Sequence, residues 1–193
     1  MDAYQVRRSL AEKESSYSID GGDLVRSIEA REVERIRLDD VRRVHLAYQP
    51  AGFIPRWVCS VAGPSGRIWL PSASYVSFGR VTDQRVAFRS FVEALHGAIA
   101  ARPAAAPVEF VQGGALSSFG ALAMFIVLAL MGVLLVMGAL GSMMDGAGLA
   151  AASWALLPLI VVSYAARMVW PIWSRNRRRV YAPSSLPTNF AAG

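Results

Sequence analysis

The central and C-terminal part of the chain contains two long stretches without Asp, Glu, Lys or Arg. Residues 110–144 form the first stretch, of 35 residues, and residues 146–166 form the second, of 21 residues. A run of about 20 apolar residues is enough for an α-helix to cross the ~30 Å hydrocarbon core of a bilayer. The two stretches therefore predict transmembrane helices over 115–140 and 149–173, which form an antiparallel hairpin around a short loop over 141–148.

Charge predicts the orientation of this hairpin. Arginines follow the second predicted span directly, whereas the connecting loop carries only Asp145. Because positive residues close to a span stay on the cytoplasmic side, we expect a multi-pass bacterial inner-membrane protein with both termini in the cytoplasm. Arg167 lies inside the second span, where its side chain could reach the headgroups or, alternatively, serve as a pairing or pathway charge. The residues assigned to orientation and anionic headgroup contact are Arg167, Trp170, Trp173, Arg175, Arg177, Arg178 and Arg179.

The positive net charge of +6 is concentrated beside the predicted spans. Residues 1–109 carry 15 Arg or Lys against 13 acidic residues, whereas residues 110–193 carry five arginines against one acidic residue. The cluster at 175–179 follows an apolar span and has no folded reading surface around it. It therefore indicates contact with the bilayer, and no nucleic acid is predicted as a partner.

Residues 1–102 predict a compact, mainly β domain that is closed by one helix. Short alternating apolar runs are bounded by turn signals, among them DGG at 20–22 and GPSG at 63–66. The closing helix has Thr82 or Asp83 as its expected N-cap and ends before Pro103. Its apolar stripe, at the spacing of one helical face, comprises Phe88, Phe91, Val92, Leu95 and Ile99. Residues 103–114 are predicted to form a linker, and residues 174–193 are predicted to form a basic, Pro-containing tail.

Three segments of this first domain carry a resemblance to a known family. They are IRLDDVRRVHLAY, GRIWLPS and the run SYVSFGRVTDQRVAFRSFVEALHGAIAA into the helix. With them the chain resembles bacterial pleckstrin-homology-like membrane proteins over roughly residues 15–102. The resemblance implies an α+β fold: a pleckstrin-homology-like antiparallel β-barrel or sandwich capped by a C-terminal helix, here followed by the transmembrane helical hairpin. This fold mainly supplies binding surfaces and names no activity.

The sequence carries little that resembles catalytic chemistry. Its single cysteine, Cys59, cannot form an intrachain disulfide or a CxxC site, and its alternating apolar surroundings predict a buried thiol. The two histidines, His45 and His96, lack metal-site spacing and are expected at the surface. Asp39 and Asp40 could form a paired acid site, but a turn is favoured because adjacent strand residues point to opposite faces. We therefore predict no enzyme, no cofactor, no metal and no small-molecule substrate.

Two binding functions remain open. The preferred hypothesis is a non-enzymatic accessory or scaffold protein that binds and stabilises a larger complex of membrane protein subunits. The alternative is a lipid- or ligand-sensing module at the cytoplasmic leaflet, although carboxylates in the IDGGD loop oppose binding of a phosphoinositide. An enzyme with an unrecognised site is the third reading. A candidate interaction patch, whose acidic neighbours nearly cancel its charge, comprises Arg35, Arg37, Arg42 and Arg43. Trp57 and Trp69 are expected in the core.

Overall fold

The computed structural model describes residues 3–51, 54–78, 80–102, 107–144, 160, 163, 167, 170–187 and 190. The chain divides into two compact units. The first unit comprises Met1–Gly113 together with Arg178–Gly193, and the second comprises Gly114–Arg177. The second unit is therefore inserted in the chain of the first, and the segment that follows the insertion belongs to the first unit again.

Four antiparallel strands form the first sheet of the first unit. They are β1 (Tyr4–Val6), β2 (Ser15–Asp20), β3 (Asp23–Ile28) and β4 (Arg31–Arg37), in the order β1-β2-β3-β4. The turn predicted at DGG joins β2 to β3, and positive φ at Gly21 and Gly22 suits a two-residue hairpin loop. Glu29 and Ala30 join β3 to β4 with φ of 51° and 63°, although neither residue is a usual turn former.

The second sheet combines three consecutive strands with two from later in the chain. Its strands are β5 (Arg43–Ala51), β6 (Ile54–Gly63), β7 (Gly66–Pro71), β10 (Glu109–Gln112) and β11 (Arg179–Val180). The order is β11-β10-β5-β6-β7, in which only β10 and β5 are parallel. The turn predicted at GPSG joins β6 to β7. Strands β8 (Ala73–Ser77) and β9 (Arg80–Asp83) form a separate hairpin.

Helix α1 (Arg85–Ala100) follows β9, and its predicted apolar stripe is confirmed. All five stripe residues are buried in the first unit: Phe88, Phe91, Val92, Leu95 and Ile99. The N-cap is Gln84 and makes no side-chain capping bond. Asp83, one of the two predicted caps, instead accepts a hydrogen bond from the backbone N–H of Arg85 at 3.0 Å. A short 3-10 turn at Leu38–Asp40 confirms the turn predicted at Asp39 and Asp40.

The two tryptophans that were expected in the core differ in burial. Trp57 is 3 % exposed and Cys59 is fully buried, which confirms both predictions. Trp69 is 40 % exposed, so its assignment to the core is wrong. The reason is the alternation of β7, in which Ile68 and Leu70 point inward and Trp69 points outward.

The segments predicted as linker and tail contribute to the second sheet. Strand β10 lies within the linker region 103–114, and β11 lies within the tail region 174–193. Phe190, further along the tail, packs its ring 5.4 Å from Trp57 and 5.7 Å from Phe88. The buried ring of Phe190 makes this part of the tail a member of the core of the first unit.

The second unit contains α2 (Ala115–Met144), and residues 170–175 are helical as well. Near the two ends of this unit, the backbone N–H of Gly114 donates to the carbonyl of Asn176 at 3.2 Å. Many described apolar side chains of α2 are exposed, including Ile126, Val127, Leu130, Met131, Val133, Leu134, Leu135 and Met137.

The predicted fold class is wrong, because no helix among the described residues is long and apolar enough to cross a membrane. Of the second predicted span, 149–173, only 160, 163, 167 and 170–173 lie within the described residues, and most of the loop 141–148 lies outside them.

This finding also overturns the predictions that depended on the spans. The transmembrane hairpin, the multi-pass bacterial inner-membrane location and the cytoplasmic orientation of both termini are corrected with it. The described chain is mainly β-sheet, with α1 closing the first unit. The family resemblance of residues 15–102 stays a prediction.

Candidate functional site

Strand β1 lies at one edge of the first sheet and pairs only with β2 among the described strands. Just after β1, Arg7 directs both backbone groups away from β2: its N–H donates to Ser74 Oγ at 2.9 Å and its carbonyl accepts from the N–H of Tyr75 at 3.0 Å. In an antiparallel ladder, alternate residues direct their N–H and C=O to the same side. Gln5 and Ala3 therefore present their backbone groups at the outer edge of β1.

A groove of about 370 Å³ lies between this edge and α1. One wall consists of Ala3, Tyr4 and Gln5, and the other of residues from the start and first half of α1. The α1 wall comprises Gln84, Ala87, Ser90 and Phe91. Gln5, Ala87 and Ser90 are exposed, so the groove is open to a ligand from solution.

Tyr4 holds β1 against α1. Its ring lies 6.0 Å from that of Phe88 and 5.8 Å from that of Phe91, and its hydroxyl donates to the carbonyl of Pro71 at 2.6 Å. Burial raises the pKa of the Tyr4 hydroxyl well above its usual range, so the group stays a neutral donor. The spacing between the two walls of the groove is thus set by packed aromatic rings.

Gln84 is anchored by its backbone, while its side chain has an unmatched oxygen. The backbone N–H of Gln84 donates to Ser72 at 2.9 Å, and its carbonyl accepts from Phe88 at 2.9 Å. The side-chain Oε1 is shielded from solvent and has no hydrogen-bond partner within the described residues. An acceptor in that condition costs free energy until a donor reaches it.

The groove has little net electrostatic character. None of the side chains that line it is charged. A second hollow beside it, at the start of α1, is lined by Asp83, Gln84, Arg85, Val86 and Ala87. There the only two charges form an ion pair of 2.6 Å between Arg85 Nε and Asp83 Oδ2. Both hollows therefore suit an uncharged ligand better than an anion or a cation.

No feature of the sequence was sufficient to predict this site. Tyr4 and Val6 are apolar and flank polar Gln5, which is the alternation of a strand, but β1 is only three residues long. Gln84 carries no recognisable motif, and its part in the groove depends on the packing of β1 against α1. A short alternating run near the start of the chain was the one available indication.

The arginine patch predicted from the sequence is largely neutralised by nearby carboxylates. Arg35 contacts Glu32 and Asp23 at 2.6 Å each, and the hydrogen bonds that its guanidinium donates to these two carboxylates raise its pKa above the usual range. Arg37 lies 3.8 Å from Asp39 and 4.0 Å from Asp40.

Arg43 contacts Glu109 at 2.5 Å, and this hydrogen bond lowers the pKa of Glu109. Arg42 is exposed, and its backbone N–H donates to Ala62 at 2.9 Å. Three of the four patch arginines are therefore matched by carboxylates.

The C-terminal cluster predicted to contact headgroups is divided between the two units. In the second unit, Arg177 lies 4.6 Å from the centre of the Trp173 ring, and Trp173 lies 5.3 Å from Trp170. Arg167 is exposed and Arg175 is half-buried. In the first unit, Arg178 contacts Glu109 at 3.5 Å, and Arg179 begins β11 opposite Gln112.

The two histidines occupy different environments. His45 is half-buried, with Nε2 at 2.8 Å from the carbonyl of Gly113. His96 is 1 % exposed, so its predicted surface position is wrong. Its Nδ1 lies 2.7 Å from the carbonyl of Val92, which can only accept, and its Nε2 lies 3.0 Å from the hydroxyl of Tyr181. Burial lowers the pKa of His96, although the bond to Val92 opposes the shift.

Within the described part of the chain, no group of three or more His, Cys, Asp or Glu residues could hold a metal ion. Burial raises the pKa of the Cys59 thiol to about 12, which makes this side chain a poor nucleophile in the native fold. In comparisons with known proteins, no family model, no curated protein and no solved structure matches this chain.

Proposed function

We propose that the first unit is a non-enzymatic protein-recognition module that binds an extended segment of a partner protein along β1. One feature carries the proposal: alternation along β1 from Arg7 directs the backbone groups of Gln5 and Ala3 away from β2, and α1 forms the other wall of the groove that these two residues line. A partner segment in this groove would add a fifth strand to the first sheet. Main-chain hydrogen bonds supply affinity in such strand addition, and side-chain pockets supply specificity.

The walls of the groove support this mode of binding. Tyr4 and Phe91 pack against each other, so the width of the groove is preorganised before a partner arrives. A preorganised site loses less conformational entropy on binding than a mobile one. The exposed backbone edge of β1 would otherwise be a site for uncontrolled pairing with other chains.

The proposal retains one element of the preferred hypothesis, a binding protein that assembles with other proteins. The alternative hypothesis, a lipid- or ligand-sensing module at the cytoplasmic leaflet, has less support. Anionic lipid would be expected to bind the arginine patch, but Arg35, Arg37 and Arg43 are matched by carboxylates. A neutral groove beside a strand edge is better suited to a peptide than to a headgroup.

Site-specific photo-crosslinking tests the proposal in cells that express the full chain. Gln5 is replaced by the photoreactive residue p-benzoylphenylalanine in one variant. Val33, which is 51 % exposed on β4 at the opposite edge of the same sheet, is replaced in the control. We expect a discrete protein adduct from position 5 and none of the same mass from position 33.

A second substitution makes the test specific for the groove. Ala87→Trp fills the groove from α1 without entering the core, because Ala87 is exposed. Ala100→Trp makes the same change at the far end of α1, where the side chain is also exposed. The adduct should disappear with Ala87→Trp and persist with Ala100→Trp. An adduct that survives Ala87→Trp, or that never forms at position 5, contradicts the proposal.

A further inference from the structure

We infer that the segment recognised by the β1–α1 groove is uncharged, carries an apolar side chain toward α1, and donates a backbone N–H to Gln84 Oε1. This inference rests on the proposed function, because it names the chemistry of the partner for the same groove. It follows from three features of the walls: the unmatched oxygen of Gln84, the apolar surface of α1 and the lack of a charged lining residue.

The side-chain oxygen of Gln84 indicates that the partner segment supplies a hydrogen-bond donor. It is shielded and has no partner within the described residues, while the backbone of Gln84 is anchored at both its N–H and its carbonyl. The terminal torsion of a glutamine side chain is broad, so a small rotation can turn the oxygen toward the groove. An extended segment paired with Gln5 directs alternate N–H groups away from β1, toward α1. Gln84 can accept from such a group.

The apolar part of the groove indicates the side chain that faces α1. Phe91 forms a largely buried part of the α1 wall, and Ala87 beside it is small enough to leave room. Val86, in the adjoining hollow, is 84 % exposed and extends the apolar surface toward the start of the helix. Burial of an apolar side chain here removes water from both surfaces.

Charged segments should be rejected for an electrostatic reason. A charge that enters the groove loses hydration and meets no opposite charge among the lining residues. In the adjoining hollow, Asp83 and Arg85 already satisfy each other at 2.6 Å. The groove therefore excludes charged segments because their loss of hydration is not compensated by an opposite charge. It needs no specific repulsive residue to do so.

Selection from random heptapeptides displayed on phage tests the inference, with the immobilised full chain as the target. Phage that also bind the Ala87→Trp variant are removed by counter-selection. We expect the enriched peptides to be β-prone and to lack Asp, Glu, Lys and Arg at the central positions. The best enriched peptide is then synthesised, and its Kd is measured by fluorescence polarisation.

Variants of the protein separate the groove from the rest of α1. Ala87→Trp should weaken binding of this peptide at least about tenfold by blocking the site, and Ala100→Trp should leave it within about twofold. Gln84→Leu should weaken it about fivefold to tenfold through loss of one hydrogen bond.

Variants of the peptide test strand addition directly. N-methylation of the residue that pairs with Gln5 removes a main-chain donor and should weaken binding at least about tenfold. Peptides that carry a common central charge yet lose binding with Ala87→Trp would overturn the inference about the partner and leave the proposed function standing. Unchanged binding to the Gln84→Leu variant would overturn the inference that Gln84 Oε1 accepts a hydrogen bond from the partner segment.

Other outcomes would contradict the proposed function itself. These are peptides that bind Ala87→Trp as well as the native chain, peptides whose binding is indifferent to N-methylation at every position, and the absence of any enrichment. A circular dichroism spectrum of Ala87→Trp equal to that of Ala100→Trp verifies that loss of binding does not reflect loss of folding.

Discussion

Helices α1 and α2 differ in how their apolar side chains are distributed, and each belongs to a different unit. In α1, a helix of 16 residues, buried side chains follow one face. In α2, a helix of 30 residues, exposed apolar side chains occur at consecutive positions such as Leu134 and Leu135. A one-sided stripe specifies the surface against which a helix packs, whereas an apolar surface on all sides specifies no direction. The sequence of α1 therefore predicts which face of the helix packs against its unit, whereas the sequence of α2 does not predict a packing face.

The largest effect should come from truncation of one apolar side chain on each helix. Phe88 is 1 % exposed, so Phe88→Ala should lower the free energy of unfolding by about 3–5 kcal/mol. Leu134 is 68 % exposed, so Leu134→Ala should change it by less than about 0.5 kcal/mol.

The single cysteine provides the measurement for Phe88→Ala in the first unit, and urea unfolding followed by far-UV circular dichroism, which includes the helical signal of α2, provides it for Leu134→Ala in the second. Because Cys59 is buried in the first unit, its rate of reaction with a thiol reagent across a urea series reports unfolding of that unit. Equal losses for Phe88→Ala and Leu134→Ala would show that exposure of α2 side chains does not distinguish the two helices.

An intermediate effect concerns pH, because α1 carries a buried titratable group and 115–144 contains no ionisable side chain. The pKa of His96 is lowered by burial, so the folded chain binds this proton less readily than the unfolded chain. Its contribution to stability is therefore complete above the unfolded pKa of about 6.5 and is lost as pH falls below that value. The urea midpoint should decrease between pH 7.5 and pH 5.

Dithiodipyridine, which reacts with thiols at acidic pH, allows the Cys59 measurement across this range. In His96→Asn the same decrease should be smaller, because the titrating ring is gone. The paired carboxyls of Glu12 and Glu109 have pKa values lowered below 4.5 by hydrogen bonds from Arg8 and Arg43, so they titrate outside the window. An undiminished pH dependence in His96→Asn would mean that another group is responsible.

The smallest effect compares one glycine in each helix. A Cβ added at Gly97 of α1 or at Gly138 of α2 meets no atom within 4 Å. Gly→Ala in a helix interior should stabilise each helix by about 0.5–1 kcal/mol because the unfolded chain loses conformational freedom. Thermal unfolding followed by far-UV circular dichroism measures both variants. A destabilised Gly97→Ala would indicate an unrecognised close contact at that face of α1.

Local patterns predicted the parts of the fold that depend on neighbouring residues. The stripe of α1, the glycine turns of β2–β3 and β6–β7, and burial of Cys59 followed from periodicity and turn chemistry. The β3–β4 turn did not, because Glu29 and Ala30 adopt positive φ without being usual turn formers. Trp69 was misassigned because alternation in β7 permits either face to be the buried one.

Long-range pairing explains what the sequence could not provide. Strand β10 pairs with β5, which lies more than 60 residues earlier, and β11 pairs with β10 across the whole second unit. His96 borders the apolar stripe of α1, and it becomes buried where Tyr181 from the tail meets it. The groove has the same origin, since β1 and α1 are distant in sequence. Local sequence periodicity does not predict contacts between residues that are distant in sequence.

The interrupted chain of the first unit has a consequence for synthesis on the ribosome. Strand β11 and the ring of Phe190 complete this unit. Phe190 is synthesised 78 positions after Gln112. At ordinary elongation speeds that delay is roughly 4 to 16 s. During it, the edge of β10 that will receive β11 and the face of Trp57 that will receive Phe190 lack their partners. A nascent chain halted before β11 is synthesised therefore presents chaperones with a defined open edge at β10.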